Sequence, residues 1–411
     1  MAVLHRIAES FNPEARSRKA KAMDLQSRPI RLAILSHRFQ CNDGQGRVNF
    51  EVANAALQRG IHVTILASAC AEELSSHPLC RFVKIGNERL PTELLRNLVY
   101  ARSSARWLRA HRHELDIVQA NGFVTWEPCD VVAAHFVHAA WGKSPWYPFK
   151  TLRPYSLYQR LYTVLNTRWE KSAFLRAKRV IAVARPLVRE LVHIGVPEQN
   201  IEVVWNGVDT EQFYPGEANR AHFGLPSGVP IALFVGDIRT PRKNLDTVLR
   251  ALREVPDLFL VVAGAVERSP YPAMALELGV YRRVRFLDQV TAMPLLMRSV
   301  DMFVFPSRYE AHPLVLLEAM ASGLSSIVSG TFGAGEFLGD GGLILKDPND
   351  VEGLATCMKS LASDPSTRKW MGAAGRRRAH EMQWSTMADQ YLRIFHSVME
   401  QQLSPSIEIL V

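Results

Sequence analysis

The chain has few of the features that mark several protein classes. Only five of its 411 residues are cysteines, and none of them has the short spacing of a zinc site or a disulfide framework (Cys41, Cys70, Cys80, Cys129 and Cys357). No apolar run approaches the roughly 18 residues of a membrane-spanning helix. Residues 1–10 also lack the apolar core of a signal peptide. These absences predict a cytoplasmic protein with reduced thiols.

The sequence contains no Asp-x-Asp, so a metal-bridged diphosphate site of that kind is not indicated, and no metal or cofactor is expected. Charge is plentiful but uneven. Residues 1–207 hold 29 Lys and Arg against 17 Asp and Glu, a net charge of +12, whereas the rest holds 20 against 23, a net charge of −3. The basic half therefore favours an anionic partner, either a membrane surface or an anionic acceptor, over a nucleic acid.

The most informative stretch is residues 302–323. An apolar run over 302–305 predicts a buried parallel strand, and a polar turn with Glu310 follows it. Pro313 suits the first turn of a helix over 314–322, and Gly323 suits its C-terminal cap. Ligands of such sheets bind at the carboxyl ends of the strands, where this pattern places Glu310.

Glu318 lies among apolar neighbours on this predicted helix. The residues three and four positions away are Leu314, Val315, Ala321 and Ser322. A carboxylate buried there needs a partner or carries a desolvation cost. The alternative is a glutamate on a solvated strip of the helix.

With its flanks, this Glu pair resembles the signature of the family-4 retaining glycosyltransferases, which have the GT-B fold. The matching residues are Pro306-Ser307, Glu310 and the run Leu316-Leu-Glu-Ala-Met-Ala321 before Gly323. The resemblance implies an α/β protein with two Rossmann-like parallel-sheet domains that face each other across a cleft. It also implies that Glu310 meets the donor sugar and that Glu318 holds the ribose hydroxyls of the nucleotide.

The first strand–helix–strand pattern carries two glycines. A strand over 31–36 precedes Gly44 and Gly46, and a helical pattern then runs to a second strand over 61–66. The dinucleotide fingerprint fits poorly, because Asn49 stands at the third small position. The pair is more similar to the family's glycine loop, which closes over the donor diphosphate and the acceptor.

Two histidines follow the predicted strand Val131–Ala134. Related glycosyltransferases carry a functional histidine directly after such a strand, and alignment on Val131 places it at His135. His138 lies three residues further on, and the choice between them stays open. The alternative is a histidine that only forms hydrogen bonds at a strand end.

The resemblance assigns two cations to the donor phosphates. Lys243 matches the family lysine after the predicted strand 231–236, but the usual arginine position is Asp237 here. Arg239 is the expected substitute, and Arg242 is a weaker one. Backbone N–H groups of Leu314 and Val315 complete the implied phosphate site, and Pro313 removes one donor that the family often has.

Two basic segments in the first half bear on the acceptor. The predicted helix over 94–113 carries five arginines beside Leu95, Leu98, Val99 and Leu108. Residues 141–179 combine nine Lys and Arg with nine Trp, Tyr and Phe, and Glu170 is their single acid. Such segments suit a membrane interface or an anionic acceptor. The alternatives are a solvated arginine face and aromatic side chains packed in the core.

We therefore expect a disordered basic arm over 1–28, an acceptor-side domain over 29–206, a donor-binding domain over 207–384, and a helix over 385–404 that returns to the first domain. The resemblance implies metal-independent, retaining transfer of a hexosyl unit from a UDP- or GDP-sugar to a sugar or lipid-linked acceptor at a membrane. Polysaccharide, lipopolysaccharide or glycolipid synthesis is the expected context. The alternatives are another GT-B enzyme, such as an epimerase or an inverting transferase, and a non-catalytic binding protein.

Overall fold

The computed structural model describes residues 29–41, 44–86 and 89–403. The interpretation of residues 1–28 lies outside this part of the chain. Two all-parallel sheets organise the rest, one of seven strands and one of six, so the α/β class with two Rossmann-like sheets is confirmed.

The first sheet has the strand order β5-β3-β1-β6-β7-β8-β9, and β2 and β4 form a separate short pair. The strands of this half are β1 (Arg31–Leu35), β2 (Arg38–Phe39), β3 (His62–Ala67), β4 (Ala69–Cys70), β5 (Cys80–Lys84), β6 (Ile117–Asn121), β7 (Val131–Ala134), β8 (Arg179–Ala182) and β9 (Ile201–Val203). The helices are α1 (Gly44–Gln58), α2 (Glu72–Ser75), α3 (Glu93–His111), α4 (His138–Lys143), α5 (Pro154–Arg176) and α6 (Arg185–His193).

The second sheet has the strand order β12-β11-β10-β13-β14-β15. Its strands are β10 (Ile231–Val235), β11 (Phe259–Ala263), β12 (Val284–Leu287), β13 (Met302–Phe305), β14 (Ser325–Ser329) and β15 (Gly342–Leu345). The helices are α7 (Leu245–Arg253), α8 (Tyr271–Glu277), α9 (Met293–Arg298), α10 (Leu314–Ala321), α11 (Gly335–Leu338), α12 (Val351–Ser363), α13 (Pro365–Glu381) and α14 (Trp384–Leu403). The central strands are apolar throughout because helices cover both faces of a parallel sheet.

The terminal helix α14 belongs to the core of the first sheet. Its residues Met387, Tyr391, Phe395 and Val398 are buried with side chains of β1, β3 and α1. The linker between the two sheets approaches α14 closely at Gly207, where a Cβ atom would lie 2.5 Å from Trp384 Cα. Only glycine permits that approach, so the linker and the start of α14 are tied together.

Helix α10 ends as expected. Gly323 has a φ of +73°, its N–H donates to Met320 O, and the N–H of Leu324 donates to Ala319 O. These two bonds form a Schellman motif, which explains the glycine. At the other end, Pro313 has an extended backbone and is the N-cap residue, so its placement inside the first turn was wrong by one position.

Two other expectations need correction. Gly44 and Gly46 lie in the first turn of α1, not in a loop before it. The N–H groups of a first turn have no partner within the helix, so these residues can still face a ligand there. Helix α3 buries its Tyr100–Leu108 face, whereas Leu95 and Val99 are 42% and 38% exposed. The apolar side of α3 was therefore partly misplaced.

Candidate functional site

The carboxyl ends of the two sheets meet. Tyr309, after β13, donates its hydroxyl to Glu190 Oε2 at 2.9 Å on α6 and contacts Val137 O at 3.4 Å after β7. A Cβ atom built on Gly44 would lie 4.0 Å from Leu314 Cδ1, so the first turns of α1 and α10 face each other. This edge is where ligands of open parallel sheets bind.

Glu310 is the centre of a buried ionic cluster on the second sheet. Its Oε1 accepts from Lys243 Nζ at 2.7 Å, from Arg242 Nη1 at 3.2 Å and from the Ser307 hydroxyl at 2.9 Å. Burial raises the pKa of Glu310, but the two cations and the hydrogen bonds outweigh it, and the net pKa is lowered. Glu310 is therefore an anion that holds two cations at the sheet edge.

Lys243 reaches this position from the turn between β10 and α7. Its side chain is 14% exposed, and its Nζ lies 5.0 Å from the centre of the Phe305 ring. Burial lowers its pKa, while the charge of Glu310 opposes the shift. The structure thus brings together Lys243 and Glu310, which are 67 residues apart in sequence.

Arg239 does not join this cluster. Its guanidinium is 54% exposed and pairs with Asp237 at 2.9 Å, so the residue at the usual arginine position neutralises its expected substitute. Arg242 contacts Glu310 instead. The expectation for Arg239 rested on its spacing in the sequence. The path of the turn in three dimensions decides which arginine side chain reaches the cluster, and the spacing does not give that path.

Glu318 faces a different environment on α10. It is partly buried, and within the described residues its carboxylate makes no hydrogen bond or ion pair. Burial raises its pKa to about 7, and the charge of Arg47 on α1 opposes the shift. An unpartnered carboxylate near the N-terminus of α1 is suited to accept hydrogen bonds from a ligand, such as a pair of hydroxyls.

We expect the ligand-free Glu318→Gln variant to be more stable than the wild-type protein at pH 8. The pKa of Glu318 is raised in the folded state, so its ionisation costs stability as the pH rises from about 4.5 towards 7 and above. Glutamine removes that cost, and the gain is on the order of 1–2 kcal/mol, or roughly 2–4 °C in Tm. Melting curves at pH 5 and pH 8 test this. A gain of the same size at both pH values would contradict it.

The two histidines have different surroundings. His135 Nε2 lies 3.2 Å from Asn121 Oδ1, and Asn121 in turn donates to Asn49, which donates to the Ser36 hydroxyl at 2.7 Å. Burial lowers the pKa of His135 to about 4, so the ring is neutral near pH 7. Because Nε2–H donates to Asn121, the Nδ1 atom carries the free lone pair.

His138 is held by Glu170 of α5. Its ring Nδ1 lies 2.8 Å from Glu170 Oε1, and its backbone N–H donates to Oε2 at 3.0 Å. The single acid of the basic segment thus anchors the first residue of α4. This contact explains why one glutamate occurs among so many cations.

Tyr309 was not singled out from the sequence. Its ring packs against Phe136 at 5.0 Å and Trp141 at 5.4 Å, within an aromatic cluster that also buries Tyr147. Burial raises the pKa of Glu190, its hydrogen-bond partner, to about 7. The signal that the sequence offered was an aromatic residue directly before Glu310. The structure shows that this residue packs against the aromatic-rich segment of the first half.

A cavity of about 280 Å³ opens at the carboxyl ends of β1, β3 and β5. Its polar lining combines two cations, one carboxylate and the first turn of α1 (Arg38, Arg96, Glu93, Gln45 and Gly46). Arg96 pairs with Glu93 at 3.0 Å. The residues that line this cavity all belong to the half of the chain that forms the first sheet, and the cavity is suited to a second substrate.

Comparison with known families shows which protein family the chain belongs to. A model described as "Glycosyltransferase Family 4" matches residues 42–212, and one described as "Glycosyl transferases group 1" matches residues 216–378. The chain belongs to glycosyltransferase family 4. The division between the two matches falls between β9 and β10, where the structure changes from the first sheet to the second.

Curated relatives of this family-4 glycosyltransferase include two differently named enzymes. The alpha-maltose-1-phosphate synthase of Mycobacterium tuberculosis is 30% identical over 258 residues, which cover 57% of this chain and 67% of the relative. The D-inositol 3-phosphate glycosyltransferase of Nocardia farcinica is 28% identical over 421 residues, which cover 91% of each chain. The chain is thus a glycosyltransferase.

Solved structures share the GT-B fold. The sucrose-phosphate synthase of Thermosynechococcus elongatus superposes with a TM-score of 0.75 at 20% identity, covering 90% of this chain and all of that one. The HepE protein of Anabaena, solved in complex with UDP-glucose, gives a TM-score of 0.68 at 18% identity, with coverage of 90% and 100%. These likenesses confirm the GT-B architecture of the family-4 chain.

No three His, Cys, Asp or Glu side chains in 29–41, 44–86 and 89–403 are gathered where they could hold a metal ion. None of the helices in this part of the chain combines the length and apolarity that crossing a bilayer requires.

Proposed function

We propose that the protein is a retaining, metal-independent glycosyltransferase that moves a hexosyl unit from a UDP- or GDP-sugar to an acceptor hydroxyl. The carrying observation is the buried Lys243–Glu310–Arg242 cluster, which lies beside the start of α10 and opposite the start of α1. The relative of known structure that binds UDP-glucose supports a nucleotide-sugar donor.

The leaving diphosphate develops negative charge, which cations and amide groups stabilise. Lys243 and Arg242 supply the cations, and in the ligand-free state the single charge of Glu310 offsets part of theirs. The N–H groups of Leu314 and Val315 point from the first turn of α10, where the helix dipole favours an anion. The first turn of α1, with Gly44 and Gly46, supplies a second such surface from the other domain.

The sugar is held by Glu310 and His135 in this proposal. The Glu310 carboxylate accepts from sugar hydroxyls, and the neutral His135 accepts through Nδ1 because Asn121 fixes its Nε2–H. His138 has a positioning role, since Glu170 holds both its ring and its backbone. Glu318 accepts from the ribose hydroxyls. Arg239 has no direct role because Asp237 holds it.

The acceptor occupies the cavity of about 280 Å³ on the first sheet. Its arginines suit an acceptor that carries a phosphate or another anionic group. The names of two curated relatives contain the word phosphate, which supports this choice. We propose a sugar or lipid-linked acceptor, a peripheral position at an anionic membrane surface inside the cell, and a role in polysaccharide, lipopolysaccharide or glycolipid synthesis. Closure of the two domains excludes water from the transferred sugar.

We expect one nucleotide diphosphate to raise Tm, and the matching nucleotide sugar to be hydrolysed slowly without acceptor. A panel of UDP, GDP and ADP and their glucose, galactose and mannose derivatives tests this by melting curves and by diphosphate release. The anomeric configuration of the product, read by NMR, distinguishes retention from inversion. Stabilisation without release from any sugar in the panel, with acceptor cell extract present, would favour a non-catalytic binding protein.

A further inference from the structure

Helix α5 has its apolar side chains on the wrong face for a helix of a globular domain. Its buried residues are mostly polar or charged, namely Ser156, Thr163, Asn166 and Glu170, with Phe174. Its exposed residues include Leu157, Leu161, Val164 and Leu175, at exposed fractions of 45%, 52%, 58% and 45%. A soluble helix normally shows the reverse arrangement.

The buried polar side chains of α5 are satisfied inside the domain. Glu170 holds His138 and Thr163 bonds Tyr147 at 2.9 Å, which tie α5 to the segment before it, whereas Asn166 Nδ2 donates to Tyr162 O within α5 itself at 2.8 Å. The orientation of the helix is therefore fixed by specific contacts. Its leucines face outward because the opposite face is anchored.

The exposed apolar residues form one surface, which we call the leucine face. The positions Leu157, Leu161 and Val164 follow the three- and four-residue spacing of one side of a helix. Leu152 and Tyr155, at the start of α5, are 81% and 61% exposed and extend this surface. Exposed apolar patches of this kind mark sites of contact with a protein or a membrane.

The neighbouring helix α3 adds to the leucine face. The Leu94 N–H contacts Tyr158 Oη at 3.3 Å, which brings the start of α3 against α5. Leu95 and Val99 of α3 are both exposed. Exposed apolar residues therefore occur on two neighbouring helices of the same domain.

The exposed charges that α5 and the residues just before it bring to the leucine face have one sign, and the nearby acid Glu93 of α3 is paired with Arg96 at 3.0 Å. Arg160, Arg168 and Lys171 are exposed on α5, and Lys150 and Arg153 are exposed just before it. The only acid of α5, Glu170, is buried against His138. Two copies of the chain that met through this face by a two-fold axis would bring these cations together. An anionic partner satisfies both the apolar and the cationic groups.

We infer that the leucine face docks on a bilayer that contains anionic phospholipids. The axis of α5, about 35 Å long, lies along the surface, with Leu157, Leu161 and Val164 at the boundary of the acyl chains. Arg160 and Arg168 extend to the phosphates, since long cationic side chains keep their charge at the headgroups. This inference rests on the membrane partner of the proposed function and names its surface and its lipid chemistry.

The position of the leucine face relative to the cleft suits an acceptor that is anchored in the membrane. The opposite face of α5 holds His138 and Tyr147, and Tyr147 belongs to the aromatic cluster that receives Tyr309. One helix thus contacts the bilayer on one side and the acceptor-side cleft on the other. An acceptor with a lipid anchor would remain in the bilayer while its hydroxyl enters the cleft.

Vesicle flotation of the full chain tests this inference. We expect binding to vesicles of phosphatidylcholine with about 30% phosphatidylglycerol, weak binding to phosphatidylcholine alone, and loss of binding as NaCl rises. The double variant Leu161→Ser with Val164→Ser is expected to lower the partition coefficient at least tenfold, and Arg160→Gln with Arg168→Gln is expected to reduce its salt dependence.

Matched controls use exposed residues of the second domain. Leu276→Ser removes a leucine that is 62% exposed on α8, and Arg253→Gln removes an exposed arginine on α7. Both are expected to bind vesicles like the wild-type protein. Every variant keeps residues 1–28, so the contribution of that basic segment is constant across the series.

Two results would overturn the inference: full binding by the Leu161→Ser, Val164→Ser variant, or no binding of the wild-type chain to anionic vesicles. A concentration-dependent dimer that this variant abolishes, measured by light scattering without lipid, would assign the face to a second copy instead. Hydrolysis of the donor without vesicles is measured on the same samples. Its loss in the wild-type protein would count against the proposed function and leave the flotation result standing.

Discussion

Lys243→Ala is expected to lower turnover by on the order of 10²–10³-fold, the usual effect of removing one group that stabilises a developing charge. Lys243 is the buried cation of the cluster, 2.7 Å from Glu310, and no other lysine contacts Glu310 in the described part of the chain. Steady-state kinetics with the donor found in the nucleotide-sugar panel measure the effect. The loss should exceed that of Glu318→Ala, which weakens donor binding instead.

Arg239→Ala and Arg242→Ala are the matched controls for Lys243→Ala. Arg239 is exposed and paired with Asp237, so its removal should change turnover by less than about threefold, whereas Arg242 contacts Glu310 and its removal should cost more. Melting curves separate a chemical effect from unfolding. Near-normal transfer by Lys243→Ala would contradict the phosphate assignment, and a larger loss in Arg239→Ala would return the second cation to that residue.

Glu310→Ala is expected to reduce both stability and turnover more than any other single change in the cluster. Removing the carboxylate leaves Lys243 and Arg242 close together without a counter-charge, and breaking a buried ion pair in this way costs about 3–5 kcal/mol. Turnover should fall by on the order of 10²–10³-fold, because the same carboxylate would hold the sugar. Urea denaturation and donor kinetics measure the two effects.

The pH dependence separates Glu310 from Glu318. The pKa of Glu310 is lowered in the folded state, so its contribution to stability is present above about 4.5 and disappears as the pH falls through the lower folded value. Glu310→Ala should therefore destabilise the protein at pH 7 and much less at the lowest pH at which it stays folded. Glu318→Gln should stabilise it at pH 8. A stabilising effect of both changes at pH 8 would contradict the ionic cluster.

The sequence predicted much of the fold because the relevant signals are local. Apolar runs of five residues, such as Ile231–Val235, indicate buried parallel strands, and the glycine after α10 indicates a cap within a few residues. The Glu310–Glu318 spacing and its flanks identified the family. The helix boundaries differed by one or two residues where a first turn or a cap could be read in two ways, as at Gly44 and Pro313.

The sequence did not predict which polar side chains pair with one another. The spacing favoured Arg239 over Arg242, and only the path of the turn shows that Asp237 pairs with Arg239 and Glu310 with Arg242. Tyr309 contacts Glu190, which is 119 residues away, so no local pattern marks their contact. The same holds for His138, which Glu170 anchors from a helix 32 residues further along the chain.

By itself the sequence determined the α/β architecture and the family, and it pointed to the two carboxylates that we propose for the donor site, because periodicity and motif spacing are properties of neighbouring residues. The tertiary structure alone decided the ionisation of Glu310 and Glu318 and the outward direction of the leucine face. The reason is physical: burial, charge pairing and the exposed side of a helix depend on which distant segments pack together. Two glutamates eight residues apart thus differ in charge state, one beside two cations and the other with no partner in the described chain.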